Sequence, residues 1–165
     1  MNIVVGVSDM KVSNNPESVL VTYSLGSCIG VAVYDPIVRV GGMLHFMLPD
    51  SGLDLDKAKT NPYMFADTGI PKLFKESYKL GGQKNRMNVV VVGGAQVFDG
   101  GDFFNIGKRN YIAVRKMFWK NNVMVNYQSI GGTENRTLKL AIEDGQAWLR
   151  ISGNGMSREG IIIGR

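Results

Sequence analysis

Apolar positions in this chain fall mainly in short, β-branched runs separated by glycines, a rhythm that predicts many strands and few helices. The runs NIVVGV, SVLVTY, IGVAVY, GGMLHFML, MNVVVV, VMVNYQ, TLKLAI and AWLRI read as strands. Glycine pairs punctuate them at Gly41-Gly42, Gly81-Gly82, Gly93-Gly94, Gly100-Gly101 and Gly131-Gly132, where tight connections use the positive φ angles and close backbone approaches that glycine allows. Two stretches carry helical spacing instead. One runs from about Pro62 to Leu80, with Pro71 marking a place where it could break. The other follows FFNIGKRN and sets Ile106, Ala113, Val114, Met117 and Phe118 on one side, with Asn105 placed to cap its start.

The order is strands, helix, strand, helix, strands, without the regular alternation of a doubly wound sheet. It predicts an α+β fold, a layered αβ sandwich with mixed or antiparallel strands. At 165 residues, with no repeat or linker, the whole chain reads as a single domain. The final segment, SGNGMSREGIIIGR, reads either as a loop with a short strand or as a loose tail.

Composition narrows the class. The chain is 44% hydrophobic and 20% charged, which argues against disorder, and no apolar run approaches the ~20 residues that span a bilayer. Direct membrane insertion is not expected. The start, MNIVVGVSDMKV, lacks the features of a secretory signal, and a single cysteine cannot form an internal disulfide; both point to a reducing cytoplasm. The formal net charge is +5, but Lys and Arg are scattered and form no nucleic-acid-binding arm. The excess reads as a solvated surface that could favour encounter with an acidic partner.

Cys28 and His45 are the only cysteine and the only histidine. A thiol that can hand its proton to an imidazole is a nucleophile in waiting, whereas a lone cysteine or histidine in an apolar run also serves as plain packing. Spacing bears on the choice. IGVAVY and GGMLHFML flank the turn signal DPIVR, so they read as an antiparallel hairpin. With Asp35–Val38 as a four-residue loop, Tyr34 faces Arg39 and Cys28 faces His45, with Cβ atoms ~4.5–5.5 Å apart. In GSCIG, glycines two positions either side of Cys28 fit a sharp turn beside oxyanion-binding amides, and fit a tight strand entry equally well. No carboxylate adjoins either residue in sequence. Thr22, six residues before Cys28, has a hydroxyl able to orient the ring, and is also a β-branched residue at home in any strand.

These residues resemble a known family. VTYSLGSCIGVAVYDP followed by GGMLHFMLPDSG, then ADTGIPKL, VVGGAQVF, FNIGKRN and SIGGTENR in order, is similar to CheD, the bacterial chemoreceptor glutamine deamidases, over about Ile3 to Ile151. The resemblance implies a catalytic Cys28, His45 and Thr22, with oxyanion or substrate contacts near Gly26, Ser27 and Cys28. It implies a fold similar to the catalytic domains of deamidating toxins, and no metal or organic cofactor. The implied substrates are glutamine side chains of methyl-accepting chemotaxis receptors, reached in the cytoplasm, and an implied partner is the CheC phosphatase. Ser24, Phe65 and SIGGTENR depart from the family pattern without touching the three catalytic positions. Gly94, Ala95, Asn105, Gly107, Arg109 and Asn110 match family elements and read as turn and cap structure. Two other functions would use the same residues: a non-catalytic adaptor binding receptors and CheC, and a redox-sensing thiol, the latter without a resolving cysteine.

Overall fold

Among the described residues each of the eight β-branched runs contributes a strand, two further strands come from outside them, and the helical stretches cover one outer face. A computed structural model describes residues 1–96 and 105–164. The strands are β1 (Asn2–Val4), β2 (Asp9–Ser13), β3 (Val19–Leu25), β4 (Ile29–Asp35), β5 (Val40–Phe46), β6 (Asn88–Gly93), β7 (Tyr127–Ile130), β8 (Asn135–Ala141), β9 (Ala147–Gly153) and β10 (Met156–Ile163). The helices are α1 (Leu55–Thr60), α2 (Ala66–Lys79) and α3 (Ile106–Lys120). One sheet has the order β1-β3-β8-β9-β10 and the other β2-β5-β4-β6-β7. The pairs β1–β3 and β6–β7 are parallel and the remaining neighbours antiparallel. This is the expected α+β class with mixed strands.

Three layers result. Leu20, Leu25, Met43, Val90, Leu138 and Leu140 fill the space between the sheets. On the outer face of the second sheet, Val31, Leu44 and Phe46 pack against Ile70 and Leu73 of α2 and Val114 and Phe118 of α3. Every position of β4 and β5 is buried, since these central strands are covered on both faces. Their sequences are accordingly almost continuously apolar.

The hairpin between β4 and β5 has a different register from the one the turn signal predicts. Asp35 pairs with Val40 and Tyr34 with Gly41, so His45 faces Gly30 and not Cys28. The loop is Pro36 to Arg39. Asp35 stays in the strand because its buried carboxylate is gripped by Arg86 (Nε 2.9 Å, Nη2 2.7 Å) and by the amides of Gln83 and Ile37, both at 2.9 Å. Arg39, at φ 54, makes the final bend. The slip is two residues, and side-chain direction repeats every two. Cys28 and His45 therefore keep the same side of the sheet.

Other expectations also shift. VMVNYQ follows a turn with Asn122 at φ 57, starts as irregular chain and pairs only from Tyr127. Strand β2 and helix α1 lie outside the predicted elements; of the two readings of the C-terminal segment the strand-bearing one holds, as the edge strand β10. Helix α2 runs through Pro71 without a break, because the one amide bond lost is outweighed by the packing of Ile70, Leu73 and Phe74. Asn105 does not cap α3 with its side chain; its carbonyl accepts from the Arg109 amide at 3.1 Å. Gly100-Gly101, and parts of VVGGAQVF and FFNIGKRN, lie outside the described residues.

Candidate active site

Thr22 comes from β3 in one sheet and His45 from β5 in the other, and their side chains meet between the sheets. Thr22 Oγ1 lies 2.8 Å from His45 Nδ1 and donates to the Val5 carbonyl at 2.7 Å. Both residues are buried, at 0% and 1% exposure. Space for the contact comes from Gly30, the residue facing His45. A Cβ there would stand 3.0 Å from Leu25 Cδ1 and 3.5 Å from Thr22 Cγ2, so a side chain would crowd Leu25 beside the contact.

The hydrogen-bond chain selects a tautomer. A hydroxyl has one proton, and the Val5 carbonyl can only accept, so Thr22 gives its proton to Val5 and must accept from the ring. The ring then carries its proton on Nδ1, leaving Nε2 with a lone pair. Nε2 is buried and has no hydrogen-bond partner among the described residues. Desolvation by burial drives the His45 pKa down to about 4, opposed by the negative charge of Asp9. The ring is therefore neutral near pH 7. Asp9 stands across from His45 on β2, but its carboxylate binds Lys11 and the amides of Gly6 and Met10. Sequence reading missed this neighbour because β2 was not foreseen.

Cys28 stands just before β4, half-buried and packed on the inter-sheet cluster that lies on the His45 side. Burial pushes its thiol pKa up, with its own backbone amide acting the other way. The resting pair is thus a neutral thiol and a neutral imidazole, with no hydrogen bond joining them. Catalytic hydrogen bonds commonly tighten only when substrate is bound.

The turn that carries Cys28 is clamped from behind. Ala95 N donates to the Gly26 carbonyl and Gly94 N to the Cys28 carbonyl, each at 2.9 Å. Asn110 Nδ2 donates to the Ser27 carbonyl at 2.9 Å and to the Met47 carbonyl at 2.8 Å. Gly93 adopts φ 117, and a side chain there would collide with the Cys28 carbonyl oxygen. At the start of α3, a Cβ on Gly107 would sit 2.5 Å from the carbonyl oxygens of both Gly94 and Ala95. Only glycine lets the helix approach this closely. Gly26, Ser27, Cys28, Thr22 and His45 are thus gathered in one region, and Gly94, Ala95, Gly107 and Asn110 form its rear wall.

Among the described residues no group of three or more His, Cys, Asp or Glu is arranged to hold a metal ion, and no helix is long and apolar enough to cross a membrane. What the site offers is a thiol, a buried base with a defined lone pair, and backbone amides.

Comparison with known proteins agrees with the motif resemblance. The family model described as CheD chemotactic sensory transduction matches residues 47–151, downstream of Thr22, Cys28 and His45. The chain is 57% identical over 152 residues to the probable chemoreceptor glutamine deamidase CheD 1 of Syntrophus aciditrophicus, covering 92% of this chain and 95% of that protein. It is 49% identical over 151 residues to the probable chemoreceptor glutamine deamidase CheD of Solibacter usitatus, covering 92% and 89%. The protein of the same name from Clostridium botulinum is 38% identical over 154 residues, covering 92% and 93%. With a family match over more than half its length and relatives aligned nearly end to end, this chain belongs to the CheD family.

Proposed function

We propose that the chain is a protein-glutamine deamidase that converts glutamine side chains of chemotaxis receptors to glutamate, with Cys28 as nucleophile, His45 as general base and acid, and Thr22 as the residue that orients the ring. The observation that carries this reading is the Val5–Thr22–His45 hydrogen-bond chain, which leaves a neutral Nε2 lone pair buried on the face where Cys28 lies. The names of the relatives supply the substrate class.

Because thiol and imidazole are both neutral at rest, proton transfer accompanies attack. The Cys28 S–H proton moves to His45 Nε2 as sulfur bonds to the carboxamide carbon and the C=O electron pair moves to oxygen. The amides of Ser27 and Cys28 stabilise that oxyanion. The oxygen pair returns, the C–N bond breaks, and the Nε2 proton leaves with nitrogen as ammonia, giving a thioester. Water then gives a proton to Nε2 and attacks the thioester carbon; collapse releases the glutamate carboxyl and regenerates the thiol. The product adds a negative charge to the receptor, able to shift a signalling equilibrium. The setting is the cytoplasm, at receptor cytoplasmic domains, where binding to CheC would couple the enzyme to the signalling pathway.

Mass mapping of receptor cytoplasmic fragments after incubation with the protein tests the reading. Wild type converts specific glutamines, each with the amide-to-acid mass change and one ammonia, and Cys28→Ala converts none. Undiminished ammonia release by Cys28→Ala overturns the enzyme reading, and a cellular effect surviving without conversion identifies an adaptor.

A further inference from the structure

Three consecutive carbonyls, those of Gly26, Ser27 and Cys28, are each held by one donor from the rear wall: Ala95 N, Asn110 Nδ2 and Gly94 N. No peptide bond among the described residues is cis. In a planar trans peptide the C=O and the following N–H point in opposite directions. A donor that draws the Ser27 carbonyl toward α3 therefore turns the Cys28 N–H away from α3. The Ala95 contact to Gly26 acts in the same way on the Ser27 N–H. No acceptor among the described residues takes the Ser27 N–H, and the Cys28 N–H has only its own sulfur.

Two of these donors are backbone amides, set by the path of the chain. The third is a side chain. Asn110 is fully buried, and its amide orientation is decided by its partners, since the reverse orientation would set Oδ1 against two carbonyl oxygens. Its own Oδ1 has no partner. Leaving a buried acceptor unpaired destabilises a protein, so a role limited to stability is poorly served by this choice. The same Nδ2 also holds Met47, two residues past His45. One side chain thus ties the nucleophile turn to the end of the strand that carries the base.

We infer that Asn110 is a positioning residue for the oxyanion site: its Nδ2 sets the Ser27–Cys28 peptide plane so that the Cys28 N–H is presented to the developing oxyanion, and it locks that plane to β5. The inference rests on the deamidase reading, with Asn110 acting through the peptide and not on substrate.

Asn110→Asp tests it, because the substitution keeps shape and replaces the two N–H donors with a carboxyl that can donate at most one hydrogen bond, and only when protonated. Outright loss of an oxyanion donor lowers kcat about 10²–10³-fold, so misaiming one is expected to lower kcat about 10–100-fold with KM changed by less than about threefold. Alkylation of Cys28 by iodoacetamide develops no oxyanion, and its rate is expected to stay within about threefold of wild type. A kcat within about threefold of wild type, or alkylation falling in parallel with kcat, overturns the inference. If Asn110→Asp does not fold, Asn110→Ser, whose single hydroxyl can serve one of the two carbonyls, is expected to show a smaller loss confined to kcat, and wild-type kcat in that variant overturns the inference equally. Absence of ammonia release from the wild-type protein is the separate failure of the deamidase reading and removes the inference with it.

Discussion

The two ends of the β4–β5 hairpin each bury an ionisable side chain, and they treat it in opposite ways. At the loop end, Asp35 is charged and saturated: Arg86 and two backbone amides occupy its oxygens. Burial alone would raise its pKa, but these partners, Arg86 foremost, hold it below the ordinary carboxylate range. At the other end, His45 is neutral and half-satisfied, with Nδ1 held by Thr22 and Nε2 unpartnered. Saturation is what a structural polar group requires. A deliberate lone pair, retained at a cost in stability, is what a general base requires.

Substitution separates the two ends most strongly. His45→Gln is expected to lower ammonia release about 10²–10⁴-fold while the protein stays folded at neutral pH by circular dichroism. Asp35→Ala is expected to do the reverse, lowering stability by about 3 kcal/mol in urea unfolding because Arg86 loses its buried partner, with turnover retained in the molecules that remain folded.

The pH dependence separates the same two groups. With a folded pKa of about 4 against 6.5 unfolded, the unfolded state binds the extra proton between those values. Stability is therefore full above pH 6.5 and falls on acidification toward pH 4, by on the order of 3 kcal/mol. His45→Gln removes that slope. Asp35, with its folded pKa depressed below 3.8, contributes stability above that value and loses it only at more acid pH. In kcat/KM the acid limb is expected near pH 4, and the alkaline limb above the ordinary thiol range because burial raises the Cys28 pKa.

Thr22 sharpens the half-satisfied end. Thr22→Val keeps the shape but leaves the Nδ1 proton without an acceptor, so stability is expected to fall by about 1–3 kcal/mol and kcat to fall with it. Thr22→Ser restores the hydroxyl and most of the activity, measured by ammonia release. The smallest effect is expected at Ser24, an exposed residue at φ 56 where β3 shifts register between Thr22 and Leu25. Ser24→Gly relieves the left-handed strain and is expected to stabilise by about 0.5–1 kcal/mol in thermal unfolding.

The strands of the central layer were legible in the sequence because burial on both faces leaves β4 and β5 almost wholly apolar. Helix α3 was legible from the side that meets the sheet. Strand β2, DMKVS, is short and mostly polar, and β10 is an exposed edge with MSREG at its start, so neither carries a pattern that separates it from a loop. The hairpin register depended on Asp35, whose anchors Gln83 and Arg86 lie some fifty residues away and leave no mark on local spacing. Parity survived the error, and with it the placing of Cys28 and His45 on one side. Thr22 stood out locally only as one hydroxyl among ordinary strand residues and was singled out by family resemblance, since its value comes from facing the other sheet. Asn110 reads locally as a polar residue in a basic helix; its acceptors, Ser27 and Met47, are distant in sequence, and a side chain that binds carbonyls leaves no complementary residue type to search for.

The proposed chemistry turns on Thr22 fixing the ring of His45 with its proton on Nδ1 and a free lone pair on Nε2. As His45 is the only histidine in the chain, nitrogen NMR of imidazole-labelled protein reads it without ambiguity. A protonated, pyrrole-type Nδ1 and an unprotonated, pyridine-type Nε2 are expected at pH 7, unchanged on acidification until about pH 4. A proton on Nε2 with a bare Nδ1, or an imidazolium at pH 7, would contradict that chemistry.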